Sequence, residues 1–203
     1  MIITDKQQLK QKCKPCKSVE EGEEIGAKLL NILTNSKTGL GLAANQIGID
    51  SRVCVINCKE PVVLINPEIV EKSKEMFVFQ EGCLSFPEDQ VRTHRHKWVK
   101  VKADNHKQTL YFTIWEDKSE EGFDKDKYLT YAYETVCVQH EIDHLDGITM
   151  FDRELKLEPW KRRNEKIGRN TKVLIHHPNG ETHTIKYKKF DRYKEMGWLL
   201  SEV

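Results

Sequence analysis

Residues 18–34 place apolar Ile25, Leu29, Leu30, Ile32 and Leu33 at helical spacing behind an acidic first turn of Glu20, Glu21, Glu23 and Glu24. Carboxylates favour the positive end of the helix dipole, so a helix is expected to begin near Ser18. Residues 52–56 and 62–65 are β-branched runs and predict strands, with Asn66-Pro67 as a turn after them. Residues 68–79 alternate loosely and are read as one strand leading toward Cys83. Residues 98–103 and 109–115 frame Asp104-Asn105-His106-Lys107, a hairpin pattern. Residues 116–127 are acidic and contain glycine, which predicts an exposed loop. Residues 131–145 read as a helix that Asp146-Gly147 stops.

The last quarter is different. Residues 155–170 carry Lys156, Lys161, Arg162, Arg163, Lys166 and Arg169, with Pro159-Trp160 inside. Residues 171–177 and 181–187 are β-rich and flank Pro178-Asn179-Gly180, a strong hairpin signal. Residues 190–200 read as a short helix. The organisation expected is a catalytic domain over 1–155, then a basic segment and a small ββα extension over 156–203. The extension is too small to fold well alone. A solvated basic face is the default reading, and contact with ribosomal RNA or another partner is the alternative.

Composition narrows the function classes. A chain of 203 residues can bury one sizeable core. With 33 basic and 32 acidic residues the net charge is +1, so no global field draws it to nucleic acid, DNA included, or to a membrane. No apolar run approaches the length of a membrane span. The start, Met1-Ile2-Ile3-Thr4-Asp5, lacks a signal-peptide core or an Arg/Ser-rich transit pattern, so a cytoplasmic protein is expected. Six cysteines in such a chain are not expected to form disulfides. Cys13 and Cys16 form a C-x-x-C in a lysine-rich segment and are read as incidental. Cys54 lies in a strand-like run and is read as core.

The chemistry sits in Gln139-His140-Glu141-Ile142-Asp143-His144, an H-E-x-x-H pattern. Histidines four apart share one helix face and can hold one metal ion, and a neighbouring carboxylate can take a proton from water. The spacing beyond His144 does not continue into the metzincin pattern, because Gly147 and Met150 occupy the tested positions. Upstream, Glu81-Gly82-Cys83-Leu84-Ser85 offers a thiolate that would complete a Cys-His-His set with one open position. Gly82 would then let backbone approach the metal. A buried inert Cys83 is the competing reading. Gly39-Leu40-Gly41-Leu42-Ala43-Ala44-Asn45-Gln46 reads as a glycine turn feeding a short helix. Cys137 shares the face of His140 and is assigned to the pocket wall.

Together, G-L-G-L-A-A-N-Q, E-G-C-L-S and Q-H-E-I-D-H resemble the three signature motifs of the peptide deformylases, in the same order. The resemblance runs from about Leu9 to about Asp152. It implies an α+β fold with mixed or antiparallel sheets around a central metal-binding helix. It implies hydrolysis of N-formylmethionyl peptides, with Cys83, His140 and His144 as ligands and Glu141 as the proton-transfer group. It assigns oxyanion stabilisation to the Gln46 amide and the Leu84 N–H. It implies that peptide binds along Leu40, Gly41 and Gly82, with Val136 and Cys137 at the methionine pocket. Glu81 is expected to be held by Arg95. Fe(II) is the metal the resemblance implies, with zinc, nickel or cobalt tolerated. A monomer is expected. Rival classes are another H-E-x-x-H hydrolase, such as an endopeptidase, and an idle homologue serving as a binding module.

Overall fold

A computed structural model describes residues 2–36, 38–114, 124–155, 168–177 and 181–200. The chain forms two compact units, Met1–Leu155 and Lys156–Val203.

In the first unit a short helix α1 (Lys6–Leu9) precedes α2 (Val19–Thr34). Helix α2 starts where expected: the Ser18 hydroxyl accepts from the Glu21 N–H at 3.2 Å. Its buried stripe is Gly22, Ile25, Gly26, Leu29 and Leu33. That stripe packs on a sheet of order β1-β2-β3, formed by Gly41–Ala43, Val53–Ile56 and Val62–Ile65. Every residue of β2 is buried because both of its faces are covered. Val53 and Val55 meet Ile25, Leu29 and Leu33 of α2. Cys54 and Ile56 meet Cys137, Val138, Ile142 and Leu145 of the long helix α3 (Lys125–Leu145).

Two more antiparallel assemblies complete this unit. A sheet of order β4-β7-β8 (Glu68–Lys72, Trp98–Lys102, Leu110–Thr113) contributes Val99, Val101 and Phe112 to the α3 core. A two-stranded ribbon joins β5 (Met76–Cys83) to β6 (Phe86–His96) through a turn at Leu84-Ser85. Helix α3 is central: residues 135–145 are all buried, although Gln139, His140, Glu141, Asp143 and His144 are polar.

Several boundaries depart from the sequence expectations. Residues 68–79 are two strands in different assemblies, because Ser73 turns the chain with its hydroxyl on the Glu75 carbonyl at 2.6 Å. Strand β6 had no sequence signal, since its polar residues are mostly exposed on a ribbon. The first motif is a strand followed by a 3-10 turn over Ala44–Ile47. Helix α3 begins at Lys125, inside the expected loop, because the Asp124 carboxylate caps the Lys127 N–H at 3.0 Å. The rest of that loop, residues 116–123, lies outside the described residues, as do most of the basic segment (156–167) and the Pro178-Asn179-Gly180 turn. Every strand pairing among the described residues is antiparallel.

The second unit contains β9 (Lys172–His176), β10 (Thr182–Lys186), α4 (Phe190–Lys194) and β11 (Leu199–Leu200). The expected helix over 190–200 is therefore a five-residue helix and a third strand. Gly197, at φ 86°, supplies the left-handed turn between them. The sheet order is β10-β9-β11, and Val173, Ile175, Ile185 and Trp198 form its core.

Two glycines set the distance between α2 and the first sheet. A Cβ on Gly26 would lie 2.4 Å from Val63 Cγ1 and 3.3 Å from Val63 Cβ. Valine is stiff at χ1, so it has no easy retreat. Gly26→Ala gains up to about 1 kcal/mol of helix propensity but incurs overpacking of about 1–3 kcal/mol. A net fall in thermal midpoint of a few degrees is expected in a melt, and a midpoint above the parent's would refute the close-packing account.

Candidate metal centre and substrate cleft

Helix α3 carries His140 and His144 one turn apart, and their Nε2 atoms lie 3.1 Å from each other. The turn at the end of β5 brings Cys83 Sγ to 3.3 Å from His144 Nε2. The ligand atoms of Cys83, His140 and His144 all lie within 4.8 Å of one another. Among the described residues, no other group of three or more His, Cys, Asp or Glu side chains converges in this way. Cys13, Cys16, Cys54 and Cys58 form no such group. Cys13 and Cys16 are buried, free cysteines: Cys13 packs under α3, and the Cys16 thiol faces the Ser18 carbonyl at 3.2 Å.

Glu81 fixes the orientation of His140. Its Oε2 is 2.8 Å from His140 Nδ1, which leaves Nε2 to face the centre. Arg95 grips the same carboxylate through Nε at 2.6 Å and Nη2 at 2.8 Å, and the Thr93 hydroxyl also donates to it. Arg95 reaches on to Asp143, which in turn binds Arg153 at 2.7 Å. Burial alone would raise the Glu81 carboxyl, but hydrogen bonds from Arg95 and His140 override it and hold the group well below the usual range. Burial pulls His140 down, yet its contacts with Cys83 and Glu81 raise it overall. His144 is pushed down by burial and by the neighbouring His140 charge. Burial pushes Glu141 up to about 7.

The first motif frames the centre from the other side. Gln46 Oε1 accepts from the Ala43 N–H at 2.9 Å, and its Nε2 donates to Ser85 Oγ at 3.1 Å and to Cys83 Sγ at 3.4 Å. Asn45 donates to the His144 carbonyl at 2.7 Å, tying the motif to α3. Gly41 has to be glycine: a Cβ there would sit 2.5 Å from Cys137 Sγ and 2.6 Å from Glu141 Oε1. A Cβ on Gly82 would meet only the Asp89 carbonyl, at 4.0 Å, among the described residues.

A cleft of about 400 Å³ opens over these groups. Gln46, Cys83, His140 and Glu141 line it beside Leu40 and Gly41, with Gly82 and Leu84 also on its wall. Val136 and Cys137 line it too, and contact with Cys58 together with burial pushes the Cys137 thiol well up, so it forms a neutral wall. Sequence reasoning missed Phe79 and Tyr133, which meet edge to face at 5.2 Å in the same cleft. Their signals were present. Phe79 alternates with Glu81 along a strand, and Tyr133 lies two helical turns before His140. Asp143 and Arg153 were also missed, since nothing local marks a buried charge relay.

The donor set fits a divalent metal ion. It holds one thiol and two imidazoles, one of them with its second nitrogen committed to a carboxylate, and three protein ligands leave a position open. The buried Glu141 Oε2 and His144 Nδ1 have no hydrogen-bond partner among the described residues. An unpaired carboxylate oxygen beside three converging ligands suits proton transfer with a molecule entering that open position.

The relay supports stability as well as geometry. Arg95→Ala would leave the buried Glu81 and Asp143 facing each other without their shared cation. A loss of about 3–5 kcal/mol is expected, read from denaturant unfolding. A variant within 1 kcal/mol of the parent, taken as about the uncertainty of such a measurement, would show that the network is dispensable.

Comparison with known proteins agrees with the motif resemblance. The family model described as polypeptide deformylase matches residues 1–162. A peptide deformylase of Bartonella tribocorum is 34% identical over 181 residues, covering 82% of this chain and 93% of that one. One from Thermotoga petrophila is 34% identical over 155 residues, covering 76% of this chain and 84% of the relative. The crystal structure of peptide deformylase from Thermotoga maritima superposes with a TM-score of 0.61 at 33% identity, covering 76% of this chain and 97% of that one. With the fold, the Cys-His-His centre and these matches in agreement, the chain belongs to the polypeptide deformylase family.

Proposed function

We propose that this chain carries out the family's reaction with Cys83, His140 and His144 holding one divalent metal ion and Glu141 moving the proton. The enzyme is a metal-dependent hydrolase that removes the N-formyl group from nascent peptides, releasing formate and a free α-amine. When bound, the ion supplies Lewis acidity and lowers the pKa of water. Glu141 accepts the proton of the attacking water at its carboxylate and delivers it to the leaving amine. The Gln46 side-chain amide and the Leu84 N–H donate to the oxygen of the formyl group as charge develops on it. Support comes from one arrangement above all: three ligand atoms converge beside a buried, unpaired Glu141 oxygen.

Peptide binding follows from strand edges. Among the described residues, strand β1 ends its sheet and β5 pairs only with β6, so each has one edge without a strand partner there, beside the cleft. A formyl-Met peptide adds as a strand along Leu40 and Gly41 on one side and Gly82 on the other. The methionine side chain enters the apolar part of the cleft, against Leu40, Val136 and Cys137. Phe79 and Tyr133 extend this wall, and aromatic edges favour a thioether.

Fe(II) is the metal we assign, on the family resemblance, with zinc, nickel or cobalt compatible with one thiolate and two imidazoles. The site of action we assign is the cytoplasm, at the ribosome where nascent chains emerge. Six free thiols suit a reducing compartment. No helix among the described residues is long and apolar enough to cross a membrane. A monomer suffices, because every group invoked comes from one chain.

Formate release from a formyl-Met peptide by anaerobically Fe(II)-loaded protein tests the activity, and cleavage of unformylated peptides instead would favour an endopeptidase. Cys83→Ala is expected to lose metal or hold it loosely, by elemental analysis. One tight equivalent at full activity would remove Cys83 from the ligand set. Glu141→Gln keeps shape and metal but cannot act as a base, so kcat should fall by about 10² or more. Turnover at the parent rate would exclude Glu141 as the proton carrier.

A further inference from the structure

Charge is unevenly divided between the two units. Residues 156–203 hold 12 Lys and Arg against 6 Asp and Glu, a net +6. Residues 1–155 hold 21 against 26, a net −5. The overall +1 conceals this split. Pairing is uneven in the first unit, where Lys28, Lys74, Lys102 and Lys107 are exposed and make no ion pair among the described residues while other cations meet a carboxylate. Lys10, Lys14, Arg52, Lys59, Lys100 and Arg153 each do so. In the second, Arg169, Lys172, Lys186 and Lys188 are all exposed and make no ion pair among the described residues.

These four cations cluster. Lys172 of β9 and Lys186 of β10 are direct cross-strand partners. Just beyond them the Lys188 N–H donates to the Arg169 carbonyl at 2.9 Å, so the next basic pair is also juxtaposed. Val173, Ile175 and Ile185 face the core, so alternation puts Lys172, Leu174, Thr184 and Lys186 on the open face of the sheet. Like charges directly opposite each other on a sheet are destabilising. Folding offers no reason to stack four of them on two adjoining segments, whereas a polyanion does.

We propose that this end of the β9–β10 hairpin is a phosphate-backbone docking site for structured RNA. Thr182 and Thr184 add hydroxyls on the same face, the side-chain type that accompanies Lys and Arg on phosphates. A lipid surface fits less well. Phe190, Tyr193 and Trp198 are turned into the core of the unit, and α4 is only five residues, so the described residues of this unit offer no amphipathic helix to insert. The choice of RNA rests on the proposed action on nascent chains, which places the enzyme beside ribosomal RNA.

Lys186→Glu separates a functional role from a structural one. It turns a like-charged cross-strand pair into an opposite one, so the thermal midpoint should hold or rise. Binding of the full chain to a labelled RNA hairpin, followed by anisotropy from about 50 to 200 mM salt, should show a parent log–log slope of roughly −3 to −4 for four phosphate contacts. The variant's slope should shrink by about 1, with affinity down at least about fivefold at the low-salt end. Lys172→Glu, from the opposite strand, should do the same. Formate release from a free peptide should not change in either variant, so loss of RNA binding and failure of the hydrolase reading are scored separately. Three results would overturn the proposal: a parent that ignores the hairpin at low salt, affinity and slope unmoved in both variants, or phosphatidylserine vesicles or a DNA hairpin bound more tightly than the RNA.

Discussion

The buried Glu81 carboxylate is the contact on which the catalytic unit depends. An ion of this kind costs several kcal/mol to bury unless it is paired and hydrogen-bonded on most of its lone pairs. Arg95 and Thr93 from β6 and His140 from α3 supply that pairing, so the ribbon and the helix are tied together at one point. The geometry then carries over to the second contact. Residues two apart on a strand are separated by about 6.6 Å, and residues four apart on a helix by about 6 Å. With Glu81 seated on His140, Cys83 falls opposite His144, where its Sγ is found. Arg95 and Asp143 neutralise the remainder and extend the relay to Arg153 near the surface.

Around that contact, small residues decide how closely the layers approach. Gly22 and Gly26 let α2 rest on Ile65 and Val63, while Gly41 lets β1 lie against Cys137 and Glu141 of α3. The result is a helix that is buried through eleven successive residues, many of them polar, between the α2–sheet layer and the β4-β7-β8 sheet. Low dielectric there strengthens each charge contact and penalises each unpaired group. The unpaired oxygen of Glu141 is a penalty of that kind, placed beside the open side of the centre. The cleft lies beside β1 and β5, whose outer edges have no strand partner among the described residues.

Electrostatics divides the molecule along its chain. The catalytic unit carries excess acid, and the C-terminal unit carries excess base, including Lys172 and Lys186, which make no ion pair among the described residues, on a small three-stranded sheet. The groups assigned to substrate chemistry and those assigned to polyanion attraction thereby lie in separate parts of the sequence.

The sequence alone determined the chemistry that is local in the chain. H-E-x-x-H puts two imidazoles on one face whatever surrounds the helix, the acidic start of α2 is a property of its own first turn, and paired β-branched runs declare β2, β3 and the β7–β8 hairpin. Three short motifs in order were enough for the family. What tertiary structure decided is everything carried by long-range contact. The split of residues 68–79 into two sheets, the long polar strand β6 and the early start of α3 all follow from partners or caps that no local pattern announces. The relay through Asp143 and Arg153 joins residues up to 72 positions apart, from Glu81 to Arg153, and its members look like ordinary surface charges until burial makes their pairing obligatory.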